Sequence, residues 1–161
     1  MPGRVFQLNI KPLIGVEPGL PKLPVDSALL TKAGFEGDYN RYRQEKKSGS
    51  PAMAALVMPL ETLEDLSKEG WPVKPGDIGE NITTSGLAYS DFSIEKKFKV
   101  GASAVIEISE PCIPCATLKA LPYVGPEKIS EFIRLMLGRR GWYARVLAEG
   151  VVGRGDVIAP A

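Results

Sequence analysis

The chain contains no histidine. That one absence removes Ser/His/Asp triads, Cys/His dyads, HExxH zinc sites and imidazole general bases together. Any catalysis must therefore run through thiol, carboxylate, amine, phenol or a bound group. Cysteine is scarce as well. Two in 161 residues do not make a disulfide framework, and closely spaced pairs of this kind are more often redox-active or metal-binding than structural. No segment approaches the roughly 18 apolar residues of a membrane-spanning helix. Residues 1–11 show neither the long hydrophobic run nor the small-residue cleavage site of a secretory leader, so a cytoplasmic location is expected. A formal charge of +1 argues against a surface coated in basic residues for indiscriminate nucleic-acid binding, and the expected partner is a small molecule.

What is present is ordinary for a folded domain. Hydrophobic residues make up 44 % and charged residues 24 %, enough apolar material for a buried core. The length predicts one domain over residues 1–161. Val5 to Ile10 alternate, with Phe6, Leu8 and Ile10 on one face and Val5, Gln7 and Asn9 on the other, as in a half-buried strand. Pro12, Gly15, Pro18, Gly19, Pro21 and Pro24 then break the chain into an ordered surface loop leading to Val25. Ala52 to Met58 reads as a buried strand. A helix follows it, with Pro59 at its first position, Leu60, Leu63 and Leu66 at helical spacing, and Gly70 as its stop. A second helix opens at Gly125 and Pro126, carries the apolar stripe Ile129, Phe132, Ile133, Met136 and Leu137, and closes at Gly138 with Arg139 and Arg140. Phe98 to Ser109, Trp142 to Ala148 and Val151 to Ala159 are rich in strand formers and separated by glycines. The sum is a mainly β, α+β domain with two or three short helices and a twisted sheet or barrel.

Chemistry concentrates in Glu110-Pro-Cys-Ile-Pro-Cys115, which follows a strand and precedes the helix-forming residues Ala116 to Leu121. A thiol in the first turn of a helix meets the positive end of the peptide dipoles, which favours thiolate, so Cys115 is the candidate nucleophile or soft-metal ligand. With two cysteines and no histidine, a zinc site would have to complete its four ligands with carboxylates or share them across a dimer. A thioredoxin-like disulfide exchange centre at Cys112 and Cys115 is the rival reading, because strand, Cys-x-Pro-Cys and helix is the order such centres use. The alternative of two inert buried thiols also stands.

A family resemblance covers nearly the whole chain. Lys22-Leu-Pro-Val25, Gly34-Phe-Glu-Gly-Asp38, Pro75-Gly-Asp-Ile-Gly-Glu-Asn-Ile-Thr83 with Gly86-Leu87, Pro111-Cys-Ile-Pro-Cys115, and Gly138-Arg-Arg-Gly-Trp-Tyr-Ala-Arg-Val146 with Gly155-Asp156 stand in the order seen in MOSC domains, which the chain resembles. The resemblance implies a β-barrel-like fold and a molybdenum or sulfur context. Such domains occur at the end of molybdenum cofactor sulfurases and in molybdopterin-dependent reductases of N-hydroxylated compounds. By motif, the family cysteine falls on Cys115, implying a persulfide-carrying sulfur or a molybdenum ligand there. Cys112 stands where many relatives have arginine, which leaves open a second thiol that resolves a disulfide or persulfide at Cys115. Tyr39 to Lys47 replaces a stretch that contains histidine in many relatives.

The implied cofactor is the molybdenum cofactor, molybdopterin, whose phosphate and oxygen-rich ring need fixed donors. Arg139, Arg140 and Arg145 carry guanidinium forks suited to phosphate, Asn81 offers an amide and Gly79 a close backbone approach. Arg145, within a strand, is the foremost of these candidates, although arginines at a helix end also serve its dipole and Gly-Glu-Asn also builds turns. Two readings follow. In one, the domain reduces N-hydroxylated or oxide substrates with electrons from a partner protein, since no flavin, haem or iron–sulfur motif is visible. In the other, it carries cofactor or sulfur from a donor protein and turns over nothing itself. Neither reading calls for nucleic acid or membrane.

Overall fold

The computed structural model describes residues 2–12 and 18–161. Of the loop glycines and prolines read from the sequence, Gly15 lies outside the described residues. Along the chain come β1 (Gly3–Ile10), β2 (Leu23–Val25), β3 (Ser27–Thr31), β4 (Gly34–Phe35), α1 (Arg41–Lys46), β5 (Ala55–Pro59), α2 (Leu60–Lys68), β6 (Ile82–Ser85), β7 (Lys97–Val100), β8 (Ala104–Pro111), α3 (Gly125–Met136), β9 (Trp142–Ala148), β10 (Gly150–Gly153) and β11 (Val157–Pro160). Short 3-10 turns occupy Pro51–Met53, Tyr89–Asp91 and Ala116–Ala120.

Strands pair in the order β11, β7, β8, β9, β5, β6, β1, and β1 returns to β11, which closes a seven-stranded barrel. β1 makes three partnerships in sequence. Gly3 and Arg4 face β11, Arg4 to Leu8 face β6, and Leu8 to Ile10 face β2. β5 and β6 run parallel, joined through α2, while the other barrel pairs are antiparallel. A smaller sheet, β10-β3-β4, completes the fold. The expected mainly β, barrel-like architecture with a few short helices is the one observed.

Alternation fills the barrel. Ala104, Ile106 and Ile108 of β8, Ala144 and Val146 of β9, and Phe98 and Val100 of β7 point inward and are buried, while Glu107 and Arg145 between them point out. A second core lies under the helices, where Leu63 and Leu66 of α2 meet Phe132 and Met136 of α3 and Leu118. A third, small cluster of Met53, Leu56, Cys112 and Tyr143 packs on the outer side of β5 and β9.

Several details differ from the sequence reading. A bulge between Val5 and Gln7 changes the face of β1 midway, so Val5 and Leu8 are both buried while Phe6 is outside. Residues 51–53 form a 3-10 turn before β5 instead of its beginning. The 98–109 segment is two strands folded about a turn at 101–103. Likewise, Val151 to Ala159 divides into the end of β10 and most of β11. On α3, Phe132 and Met136 are buried, but Leu137 falls beyond the last turn and is exposed.

α1, with the sequence Arg-Tyr-Arg-Gln-Glu-Lys, carries no apolar stripe. Its first turn is capped by Asn40, whose side chain accepts from the Arg43 N–H at 2.9 Å. Arg43 itself turns inward, and its guanidinium donates to the carbonyls of Ser50 (2.7 Å), Ala33 (2.5 Å) and Gly49 (3.2 Å). The helix is thus fastened by one arginine acting as a backbone clamp.

Phe98→Ala should cost about 3–5 kcal/mol through lost burial and a residual cavity, because Phe98 is wholly enclosed within the barrel. Its exposed neighbour Lys99, changed to Ala, should stay within about 0.5 kcal/mol of the parent. Urea unfolding of both variants checks the expectation; equal midpoints would place Phe98 outside the stabilising core.

Candidate functional site

β8 ends because Pro111 and Pro114 remove backbone donors from the ladder. Cys112 is still held beside the start of β9 by its N–H, which donates to the Gly141 carbonyl at 2.8 Å. Its side chain is buried against Met53, Leu56 and Tyr143. Three residues on, Cys115 is exposed, with its sulfur 3.4 Å from the Thr117 hydroxyl. The expected helix after it is a five-residue 3-10 turn. Both thiols line one pocket of about 400 Å³, a size suited to a small organic ligand. α1 and the residue that follows it form a second wall, bringing Tyr42, Lys46 and Lys47. The floor is made by Leu20, Lys22, Ile78, Gly79 and Arg140.

The floor is built on the turn at 75–81. Gly76 and Gly79 both have left-handed backbones, φ +89° and +85°, which favour glycine. A β-carbon at Gly76 would also collide with the Lys22 carbonyl oxygen. The Gly76 carbonyl accepts from the N–H groups of Lys22 (2.8 Å) and Gly79 (3.1 Å), and the Ile78 carbonyl accepts from Arg140 Nη2 at 2.7 Å. Asp38 joins the remaining pieces. One carboxylate oxygen receives Lys22 Nζ at 2.6 Å and Asn81 Nδ2 at 2.9 Å, while the other receives the Lys11 N–H at 2.9 Å. Asn81 also donates to the Asn9 carbonyl and accepts from the Leu56 N–H.

Burial sets the electrostatics. Desolvation lowers the pKa of Lys22, and Asp38 opposes that shift. Glu80 is fully enclosed, and burial pushes its carboxyl up to about 7, against hydrogen bonds from backbone N–H groups and the Thr83 hydroxyl. Tyr143 and Tyr89 are raised chiefly by burial. Arg140 is 7 % exposed, and only one of its nitrogens has a partner. Nε and Nη1 are buried with none. Unpartnered buried donors of a charged group are costly, and an anion with several acceptor oxygens would satisfy them.

The structure brings four of the sequence candidates together, since Cys112, Cys115, Gly79 and Arg140 all line the pocket. Asn81 lies beneath the floor with its amide engaged by the protein. Arg139 ties α3 to α2 through a two-pronged ion pair with Glu69 at 2.6 and 2.9 Å. Arg145 stands on the outer barrel wall, 3.5 Å from Glu107. Lys22 and Tyr143 also line the pocket but were not singled out as site residues in the sequence. Lys22 and Asp38 each stand in a segment that carries the family resemblance, but a pocket role for the lysine shows only when the two, sixteen residues apart, are placed side by side. Tyr143 shows only as one of a strand's alternating apolar residues. Among the described residues, no group of three or more His, Cys, Asp or Glu side chains is arranged to hold a metal, and no helix is long and apolar enough to cross a membrane.

Residues 44–159 match the MOSC domain. By overall structure the chain is similar to YiiM from Geobacillus stearothermophilus (TM-score 0.76, 24 % identity, 99 % of this chain and 75 % of that one). It is also similar to YiiM from Escherichia coli (0.69, 27 %, 99 % and 68 %) and to YuaD from Bacillus subtilis (0.75, 20 %, 98 % and 94 %). Among curated proteins it is 34 % identical over 84 residues to a Gibberella moniliformis protein named as a reductase, covering 52 % of this chain and 14 % of that protein. It is 28 % identical over 117 residues to an Arabidopsis thaliana chloroplastic pentatricopeptide repeat-containing protein, covering 73 % and 7 %. The matched segments are thus a small part of these curated relatives.

Removing Asp38 should leave Lys22 buried without its counter-charge, so Asp38→Ala is expected to lose about 3–5 kcal/mol. Lys22→Met should cost less, since the Asp38 carboxylate it leaves behind still accepts from the Asn81 amide and the Lys11 N–H. Chemical denaturation of the two variants tests this order, and a larger loss for Lys22→Met would show that the ammonium, not its partner, holds the floor.

Proposed function

Because the chain belongs to the MOSC domain family, a molybdenum-cofactor-related domain, we propose that its pocket holds a molybdopterin-type cofactor by its phosphate and presents Cys115 to the molybdenum or to a transferred sulfur. The observation that carries this reading is Arg140, whose Nε and Nη1 are buried without acceptors at the floor of the pocket. A phosphate supplies several acceptor oxygens and the opposite charge, so the residues present fit the group. Lys22 adds a second cation and Gly79 a backbone free of side-chain bulk at the same floor.

The division of labour follows from position. Arg140 and Lys22 bind and orient the anionic end, where low exposure strengthens each charge–charge interaction. Cys115, at the open side, is the thiol that an incoming metal or sulfur donor reaches. Cys112, packed against Tyr143, supports that wall from behind. When bound, the cofactor would supply two-electron redox chemistry at molybdenum or a centre for sulfur exchange. The fungal relative is named only as a reductase, which favours a reductive role; N-hydroxylated compounds, with electrons from a partner protein, are what the family resemblance implies as substrates. A carrier that passes sulfur or cofactor onward uses the same pocket without turnover. A thioredoxin-like exchange centre needs the first thiol of the pair exposed for attack. Here the first, Cys112, is the buried one, which supports the cofactor reading.

The test is molybdenum analysis and pterin fluorescence on protein purified from a molybdenum-competent host. Arg140→Met should bind at least about tenfold more weakly, equivalent to roughly 1.4 kcal/mol. Arg140→Lys, which keeps the charge but loses the fork, should fall between. Arg145→Ala, outside the pocket, should bind like the parent. Limiting iodoacetamide should modify Cys115 first, and Cys115→Ser should remove both fast labelling and metal retention while Cys112→Ser keeps most of each. Equal cofactor content in parent and Arg140→Met would refute the phosphate assignment, and preferential labelling of Cys112 would transfer the case to disulfide exchange.

A further inference from the structure

Glu80 is the one buried acid of the floor that the function above leaves unused. It is 0 % exposed. Its Oε2 accepts from the Thr83 hydroxyl at 3.0 Å, and its Oε1 has no partner. It belongs to the same turn that holds Lys22 through the Gly76 carbonyl and Arg140 through the Ile78 carbonyl, yet no ion pair forms between Glu80 and either cation. Glu80 is therefore a counter-charge acting at a distance, which leaves the donors of Arg140 unsatisfied. We propose that Glu80 couples occupancy of the pocket to protonation: an anion seated on Arg140 and Lys22 binds together with one proton, which the Glu80 carboxylate takes up. This inference rests on the anion-holding reading of the pocket.

The charges around Glu80 can be enumerated by element. Lys22, ahead of β2, is positive and paired with Asp38, which precedes α1 and is negative. Arg140, between α3 and β9, is positive. Tyr123, ahead of α3, is kept neutral by burial and by Asp77, whose carboxylate accepts from its hydroxyl at 2.9 Å. Thr83 of β6 is a neutral donor to Glu80, and Asn9 of β1, behind it, donates to the Thr83 oxygen. With Glu80 ionised, Lys22, Arg140, Asp38 and Glu80 sum to zero, so an entering anion makes the enclosed group net negative. With Glu80 protonated, the four sum to +1, so an anion meets one more unit of positive charge than with Glu80 ionised, while Asp77, engaged by Tyr123, adds the same negative charge in both states. In a medium of low polarizability that difference is large, so the anion and the ionised Glu80 compete for the same cations. A carboxyl already poised at about 7 by burial would then be driven higher by the ligand, and by linkage the ligand binds more tightly wherever Glu80 is protonated.

Sulfate is the probe, because its charge is constant on both sides of neutrality. Calorimetric titration of the parent in two buffers of different ionisation enthalpy should show uptake approaching one proton above about pH 7, with affinity falling on the order of tenfold per pH unit there. Glu80→Gln should abolish the uptake and flatten the pH dependence, with an affinity at high pH no weaker than the parent's. Infrared difference spectra of the parent alone should show sulfate converting a carboxylate into a protonated carboxyl, which keeps the test decisive if Glu80→Gln does not fold. Sulfate binding without proton uptake, no new carboxyl band, or an undiminished slope in Glu80→Gln overturns the coupling and leaves the anion site standing. Failure of sulfate to bind the parent at any pH overturns both.

Discussion

Much of the pocket depends on one buried carboxylate. Asp38 accepts at once from the Lys22 ammonium, the Asn81 amide and the Lys11 N–H. Those three groups belong to the segment ahead of β2, the turn ahead of β6 and the end of β1, which nothing in chain order brings together. A charge-assisted hydrogen bond that is 7 % exposed on the acid's side and 3 % on the amine's is worth having only if both partners stay, because either one alone would be left desolvated. The pair is thus a specificity device in this fold: it fixes where the loop, strand and turn meet, and the pocket floor inherits that position. Asn81 extends the same junction to β5 through the Leu56 N–H.

The floor also illustrates a division between groups that are spent and groups that are held in reserve. Asn81 uses its amide on the protein, and Arg139 uses its fork on Glu69 and Leu135. Arg140, next in sequence to Arg139, keeps two buried donors unused. Neighbouring arginines of identical type therefore do opposite work, one stabilising the junction of two helices and one leaving unmet demand at a pocket. Gly138 and Gly141, both with left-handed backbones, flank the pair where the chain passes from α3 into β9.

The general architecture was legible in the sequence because periodicity survives without context. β9 matches its sequence boundaries, and the helix beginning at Gly125 was marked by its glycine and proline and by Phe132 and Met136. The Cys-x-Pro-Cys segment was legible as a strand end because proline forbids continuation of the ladder. What could not be read was whatever depends on contacts between distant segments. The bulge at Val5 and Gln7 inverts a face without a glycine or proline to announce it. α1 is held by Arg43 donating to three carbonyls, and a basic residue clamped inside resembles a solvated one in the bare sequence. Which of Arg139, Arg140 and Arg145 faces the pocket was equally invisible, since Glu69 and Glu107, which engage two of them, lie 70 and 38 residues away.

The closure of the barrel has a consequence for how the chain reaches its native state. β11, residues Val157–Pro160, is the last element of the sequence, and it sits between β1, one of the first, and β7. Until it arrives, both neighbours expose unpaired backbone groups, the template on which foreign strands add. Such long-range pairing is costly in loop entropy and slow. A folding chain is therefore at its most vulnerable while the rest of the barrel has formed and β11 is still unpaired. The four residues of β11 thus cover the edges on which foreign strands would add, as well as closing the barrel.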